Sequence, residues 1–394
     1  LRVAMGSFYP PRAHPFYNGH TAAYAELKTR NLFLSLDGRV ILNSLVNFYD
    51  TSPGTVIYGR DPIGLLPYPF SGRILSVRKI ADSFPLPFQT GYGEIELTFT
   101  MPAEALGRVL PLVSSGVSGR GDILRFREVR RGWVRFGYDH WGLALWESDE
   151  IPLDPSGPHR LRLRLPALMP ASAFALPAAV RESLLLEIDG STVWLQRLPF
   201  YPAAPEQIYL GRNALGASTC EGELPGGIAE ASRIASPPLV PAAARGPVVL
   251  ELRLPEDLRA GTRDPLISAG GVGRADMLSV EYAAAGQVRF LLDHWGSEGA
   301  RSPLIAIDYA KVHSLEINWP GLGGAAAEAG REIGGKVSVQ IDGQPVWTAP
   351  AKFYAARSGD ISIAENPLGA STCGPAFTGA LARVQWLDFP GASP

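Results

Sequence analysis

Two cysteines, Cys220 and Cys373, stand in 394 residues, too few for a disulfide-stapled scaffold. They occupy the same Leu-Gly-Ala-Ser-Thr-Cys segment of two similar stretches, so neither stretch holds an internal bridge. Either the pair joins the stretches across an interface or both are buried thiols, and buried thiols are the default for so small an apolar side chain. No apolar run reaches 18 residues, which excludes a membrane-spanning helix. An excess of one charge is missing too. Thirty-six basic against 38 acidic residues leave a formal charge of −2, which offers no general attraction to nucleic acid or to an anionic membrane surface. The six histidines show no zinc spacing. There is no Walker loop, Rossmann fingerprint, Ser-His-Asp order or Cys-His order. The chain opens at Leu1 without an initiator Met or a charged-then-apolar leader, so the expectation is that an upstream piece was removed or is not included.

What is abundant is turn chemistry. Gly (43) and Pro (35) punctuate many short alternating apolar runs, which is how an all-β sandwich or barrel reads. One stretch recurs three times: Leu36-Asp37-Gly38, Ile188-Asp189-Gly190 and Ile341-Asp342-Gly343. Counting on from each Asp, Phe48, Phe200 and Phe353 fall at one offset, Asp61, Asn213 and Asn366 at a second, and Gly64, Gly216 and Gly369 at a third. A Tyr comes directly after each Phe. The copies are domain-sized, far longer than a solenoid repeat.

The later two copies extend further upstream. Gly119-Arg120 matches Gly273-Arg274, Asp139-His140-Trp141-Gly142 matches Asp293-His294-Trp295-Gly296, and strands led by His159 and His313 come next. This divides the chain into a partial module (1–80) with a Pro- and aromatic-rich arm, and two complete modules (93–234 and 247–388). Stiff Pro-rich linkers lie at 81–92 and 235–246. Val56-Ile57-Tyr58 and Ile74-Leu75-Ser76-Val77 are strand candidates in the partial module, and Gly19-His20-Thr21 is a short echo of the His-led strand. Residues 166–182 and 320–335 read as rim loops, with a helical turn or two available at Ala326–Glu332. Half a sandwich leaves an apolar face open, so upstream sequence, the arm or another protein is expected to cover it.

A His-led strand, an Asp-Gly turn, an Asn-bearing Gly corner and a closing strand such as Phe377-Thr378-Gly379-Ala380-Leu381 resemble the laminin-G-like, concanavalin A-like lectin/glucanase modules. The resemblance implies tandem jelly-roll β-sandwiches, two complete and one partial. It implies little about function, since such folds carry lectins, hydrolases and adhesion modules. Glycosidases of this superfamily place three acids on one strand as Glu-x-Asp-x-x-Glu. Glu187-Ile188-Asp189 has the first spacing, but Thr192 stands where the third acid belongs, so an enzyme is not expected.

The candidate ligand-binding residues are Asp139, His140 and Trp141 with Asp293, His294 and Trp295. An indole can stack on a sugar while a carboxylate takes its hydroxyl hydrogens. The competing reading has Trp in the core and Asp capping a turn. Strand alternation puts Asp and Trp on one face and His on the other. The resemblance also implies a rim calcium, for which Asp139, Asn213, Asp293 and Asn366 are the candidate oxygens, against the reading that each Asn supplies a positive-φ turn. Phe8, Tyr9, Phe16 and Tyr17 are candidate partner anchors. The resulting expectation is a non-catalytic, extracytoplasmic (periplasmic or cell-surface) accessory subunit on a larger, membrane-associated assembly. The alternative is a glycan- or protein-recognition module.

Overall fold

A computed structural model describes residues 1–17, 22–37, 39–49, 56–61, 63–65, 70–78, 93–141, 143–169, 176–228, 230–234, 239–241, 246–256, 260–284, 286–295, 297–322 and 329–387. The linker at 81–92, most of that at 235–246, and Gly19-His20-Thr21 lie outside them. The first module contains β1 (Arg2–Met5), α1 (Ala22–Arg30), β2 (Asn31–Leu36) and β3 (Arg39–Leu45), paired in the order β1-β2-β3.

The next eleven strands are β4 (Glu94–Thr100), β5 (Val109–Val117), β6 (Arg120–Arg130), β7 (Trp133–His140), β8 (Ala144–Glu147), β9 (Ile151–Pro152), β10 (Pro158–Arg164), β11 (Ser183–Ile188), β12 (Ser191–Arg197), β13 (Ile208–Leu210) and β14 (Glu230–Ile234). They form a five-stranded sheet, β12-β11-β10-β4-β14, and a six-stranded sheet, β13-β5-β6-β7-β8 with β9 on β7. The last eleven are β15 (Val248–Arg253), β16 (Arg263–Gly271), β17 (Arg274–Ala284), β18 (Gln287–His294), β19 (Ser297–Arg301), β20 (Ile305–Ala306), β21 (Val312–Asn318), β22 (Glu332–Ile341), β23 (Gln344–Tyr354), β24 (Ile361–Ile363) and β25 (Ala380–Trp386). Their sheets, β23-β22-β21-β15-β25 and β24-β16-β17-β18-β19 with β20 on β18, repeat the first pair strand for strand. The fold is all-β, with antiparallel sheets layered as jelly-roll sandwiches. Its cause is visible in β15, where Val248, Leu250 and Leu252 alternate inward onto Phe290, Phe353 and Phe377.

Compactness cuts across the modules. One unit is Leu1–Gly91, Thr98–Pro158 and Phe200–Glu230, and the other is Tyr92–Leu97, His159–Pro199 and Ala231–Pro394. In the first unit, Phe99 of β4 meets Phe126 of β6 edge-on, with ring centroids 4.9 Å apart, so the two sheets face each other through aromatic packing. The hairpin β2-β3 of the partial module lies in the same unit. Its Asn43 is buried, bonds to Asn31 at 2.8 Å, accepts from the Ser118 amide at 2.7 Å and has its own amide 2.8 Å from the Ser118 hydroxyl. Gly216 sits against Val40, where an added Cβ would meet the Val40 carbonyl at 2.8 Å.

The second unit joins the five-stranded sheet of the first complete module to the whole of the second. Leu185 and Leu195 pack on Ala380 and Ala382 of β25. Arg164, fully buried, donates to the carbonyls of Leu381 and Ala382 and pairs with Glu94 at 3.4 Å, while Arg383 reaches Glu187 at 2.6 Å. The stretch 166–182 is accordingly not a rim loop where it is described. Its short helix α2 (Ala178–Arg181) buries Ala179 and Val180 in the core cluster of the second module. At the other insertion, Glu332 begins β22 instead of ending a helix, and 323–328 lie outside the described residues.

Two sequence expectations change in the partial module. The counterpart of the His-led strand is β1. Arg2 lies opposite Ser35 just as Arg162 lies opposite Glu187, and a 3-10 turn succeeds both strands, at Gly6–Phe8 and Pro166–Leu168. Gly6 allows this turn to touch α1, since a Cβ there would collide with the Thr29 carbonyl at 2.0 Å. In addition, Val56–Tyr58 and Ile74–Val77 are not strands. Their counterparts β13 and β25 pair with β5 and β15, and no described residue of 1–78 forms the equivalent of either partner strand.

Candidate functional site

The Asp-His-Trp-Gly segment ends β7 and β18. His140 faces inward, buried, with Nδ1 2.6 Å from Asp122 Oδ1 on the neighbouring strand β6. The other oxygen of Asp122 accepts the Tyr201 amide at 2.8 Å, and the Tyr201 ring stacks on the imidazole at 4.3 Å. The second module repeats this arrangement. His294 bonds to Asp276 at 2.6 Å, Asp276 accepts the Tyr354 amide at 2.6 Å, and Tyr354 stacks on His294 at 4.6 Å. Sequence reading singled out the His and the Phe-Tyr pair separately; the strand-borne Asp122 and Asp276, which connect them, were missed. The available signal was their repeat beside Gly119-Arg120 and Gly273-Arg274. Burial pushes the Asp276 carboxyl up to about 6, opposed by its bonds from His294 and the Tyr354 amide, and Asp122 is raised for the same reason.

Asp139, buried near the end of β7, and Trp141, half-buried just past it, are both packed against other residues, and neither is set up as an open sugar platform. Asp139 accepts the Thr219 hydroxyl, and Trp141 packs on the Ile123, Leu215, Ala217 and Cys220 cluster. In the second module Asp293 accepts the Thr372 hydroxyl at 2.8 Å, and Trp295 is 38% exposed.

The repeated Asp-Gly turn is a clip. Asp189 and Asp342 sit in the left-handed region, φ 50° and 51°, ahead of Gly190 and Gly343 at 84° and 76°, the geometry of a tight hairpin. Each carboxylate reaches back to the His-led strand. Asp189 takes His159 at 2.8 Å and the Arg160 amide at 2.9 Å, and Asp342 takes His313 at 2.7 Å and the Ser314 amide at 2.9 Å. The bond from His159, then the Arg160 amide, holds the Asp189 carboxyl below its usual range.

The calcium candidates are engaged elsewhere. Asn213 Oδ1 accepts the amides of Gly216 at 3.0 Å and Ala217 at 3.1 Å, while its Nδ2 donates to the Ala217 and Cys220 carbonyls. Asn366 accepts the Ala370 amide at 3.2 Å and donates to the Ala370 carbonyl at 2.8 Å. Asp61 likewise accepts the amides of Ile63 and Gly64. The Asn therefore closes the corner through its side chain, and the positive φ belongs to the glycines, 71°, 77° and 66° at Gly64, Gly216 and Gly369. With Asp139 and Asp293 turned to threonines, the four residues present no converging free oxygens to a hard cation. Among the described residues no group of three or more His, Cys, Asp or Glu could hold a metal ion.

Both cysteines are free, and burial pushes the Cys220 thiol up to about 12 and Cys373 to about 11. In the arm, Phe8 and Phe16 are exposed, Tyr9 has Lys28 Nζ 5.3 Å from its ring, and Tyr17 is buried on Ala25 with its hydroxyl 3.0 Å from the Pro10 carbonyl. Tyr17 thus fastens the arm to its own unit instead of facing a partner. An open cleft of about 1210 Å³ lies in the first unit between Arg2, Asp37 and the 218–226 loop. Its Arg108 and Glu221 pair at 2.8 Å, and Glu223 takes Arg212 at 2.9 Å.

No family model matches the chain, and no curated protein matches it. Similar solved structures include domains LG4–5 of the mouse laminin α1 chain, at 15% identity over 77% of this chain and 87% of that one, with a TM-score of 0.26. A heptameric SAP-like pentraxin from Limulus polyphemus matches at 14% identity over 36% of this chain and 63% of that one, TM-score 0.24. The leech intramolecular trans-sialidase complexed with 2,7-anhydro-Neu5Ac matches at 11% identity over 65% and 44%, TM-score 0.25.

Proposed function

We propose that the chain is a non-catalytic accessory or scaffold subunit that docks onto a larger assembly through its first 78 residues. One observation carries this reading. Of the 21 exposed large hydrophobic side chains among the described residues, 15 lie between Leu1 and Val77, although those residues make up about a fifth of the chain. A concentration of that kind marks an interaction surface. The absence of chemistry is supported by the engagement of the acids. Glu187 pairs with Arg162 and Arg383, and Asp189 with His159. The extracytoplasmic setting rests on the sequence resemblance, and the membrane-associated assembly on the partial first module, its aromatic arm and the stiff Pro-rich linkers.

The test is a photo-crosslinking residue at Ile57 or Leu75, against Val272 or Leu304 in the second complete module, with the full chain expressed in its source cells. One discrete adduct protein from the first pair and none from the second is expected. Equal labelling from all four sites, or no discrete adduct, removes the docking reading. Glycan recognition keeps one observation in its favour, the exposure of Trp295 beside Asp293.

A further inference from the structure

β6 and β7 carry arginines on the face of their sheet turned away from the core. Phe126 and Phe136 are buried inward, and Arg125, Arg127 and Arg135 alternate with them. Arg127 lies directly opposite Arg135 in the register, and like charges facing each other across a strand pair are destabilising. The second complete module avoids this, since Glu281 stands opposite Arg289 at the same place and takes Arg263 at 2.7 Å. Arg125 is seated as well as charged. Its side chain is 6% exposed and crosses Gly137, where a Cβ would meet the guanidinium carbon at 3.1 Å, and the corresponding pair of the second module is Ser279 and Leu291. The counter-charge is thin. Glu147 serves Arg125, Arg127 and Arg135 at 3.4–3.5 Å, and Glu150 serves Arg130 and Arg135 at 3.3–3.4 Å. Four guanidinium groups thus share two carboxylates through contacts longer than the roughly 2.7–2.9 Å of a charge-assisted hydrogen bond, whereas Arg108 and Glu221 on the same module close to 2.8 Å. Exposed Asp149 forms no ion pair among the described residues, and the Nε atoms of Arg125, Arg127 and Arg135 are buried without a hydrogen-bond partner.

We propose that this face binds an extended acidic segment of a partner protein, with Asp or Glu at alternate positions. Spacing selects that occupant. Arg125 and Arg127 are two residues apart on one strand, about 7 Å. The bulge between Glu128 and Arg130 returns Arg130 to the same side, where it stacks on Trp133 at 3.9 Å. Alternate side chains of an extended peptide repeat at that same distance, so successive carboxylates each meet a guanidinium fork. A compact oxyanion would span only one of these intervals. Arginine clusters recognise acidic motifs in this way in general, and carboxylates added here offset the repulsion between Arg127 and Arg135 as they bind. The site lies on the first complete module and uses none of residues 1–78, so it stands or falls apart from the docking function proposed above.

The experiment uses the purified full chain and a fluorescent peptide in which Glu alternates with Thr. Its isomer with all the Glu in one block, inorganic phosphate and dextran sulfate serve as the competing probes. By fluorescence anisotropy the alternating peptide should bind about tenfold or more tightly than the block isomer, and the binding should weaken as salt is raised. Arg127→Glu installs the opposite-charge pair of the second module. It should abolish peptide binding while the urea midpoint holds or rises. Gly137→Leu, which fills the trough under Arg125, should weaken binding about fivefold or more. Equal binding of the two peptides overturns the proposal, as does a peptide affinity untouched by Arg127→Glu. A fall in the urea midpoint of Arg127→Glu would mark the arginines as structural and overturn it as well. No binding of the alternating peptide sinks it outright, whether or not phosphate or dextran sulfate binds.

Discussion

Asp276 and Asp122 carry the only carboxyls bridging a stacked His–Tyr pair among the described residues, and their titration has a defined sign. The folded-state value of Asp276, about 6, lies above its ordinary 3.8, so the folded chain holds that proton more tightly than the unfolded one. Its contribution to stability is complete below about pH 4 and is lost as pH rises through about 6, a change of roughly 3 kcal/mol at most. Urea unfolding at pH 4, 5, 6 and 7 should show this decline. Asp276→Asn, which keeps an acceptor for the Tyr354 amide, should flatten it; an unchanged slope would assign the effect elsewhere. The tryptophans separate by environment in the same way. Trp141→Ala empties a packed position and is expected to cost about 2–3 kcal/mol, and Trp295→Ala less than about 1. Trp295 fluorescence that responds to a glycan panel, and loses the response on Trp295→Ala, would restore glycan binding as a function of the second module.

At the scale of the element, the hairpin β11-β12 and its sister β22-β23 are each tied to the His-led strand by one carboxylate. Asp189→Ala removes two bonds and leaves a left-handed φ to a residue that tolerates it poorly, so the melting midpoint should fall by an amount corresponding to about 1–2 kcal/mol. Asp189→Asn keeps the turn and should lose less. Because His159 and the Arg160 amide depress this carboxyl, its stabilisation is present above pH 3.8 and fades as pH falls below that. This is the reverse of Asp276. If Asp189→Ala and Asp189→Asn prove equally harmless in thermal unfolding, the clip has no energetic role. The Asp-Gly turn was legible from sequence because a two-residue hairpin demands those residues locally. The loss of strand at Val56–Tyr58 was not, because a strand exists only if another strand pairs with it.

For the whole molecule, the buried cluster in the second unit couples the five-stranded sheet of one module to the next. Burial pushes the Arg164 guanidinium down to about 10, opposed by Glu94, yet it stays charged at any physiological pH. Arg164→Met would leave Glu94 with Arg162 alone and two β25 carbonyls without their donor, at an expected cost of about 3 kcal/mol or more. Adding Glu94→Gln to it should recover at least half of that in chemical denaturation. A double variant no more stable than the single one would show that the carbonyl contacts, and not the ion pair, dominate.

Local chemistry was readable in advance: the all-β class from its turn residues, the threefold Asp-Gly repeat, and the alternation that sets His140 on the opposite face from Asp139. Each arises from residues adjacent in the chain. What only the tertiary structure decided are relations between distant residues. Asp122 meets His140 and Tyr201 across three chain segments, Asn213 spends its carboxamide on its own loop, and Ala179 and Val180 leave the rim for a neighbouring core. The same holds for β1, which takes the place of a His-led strand with no likeness to one in sequence, because backbone hydrogen bonds and a covered face, not side-chain identity, determine which strand pairs beside β2.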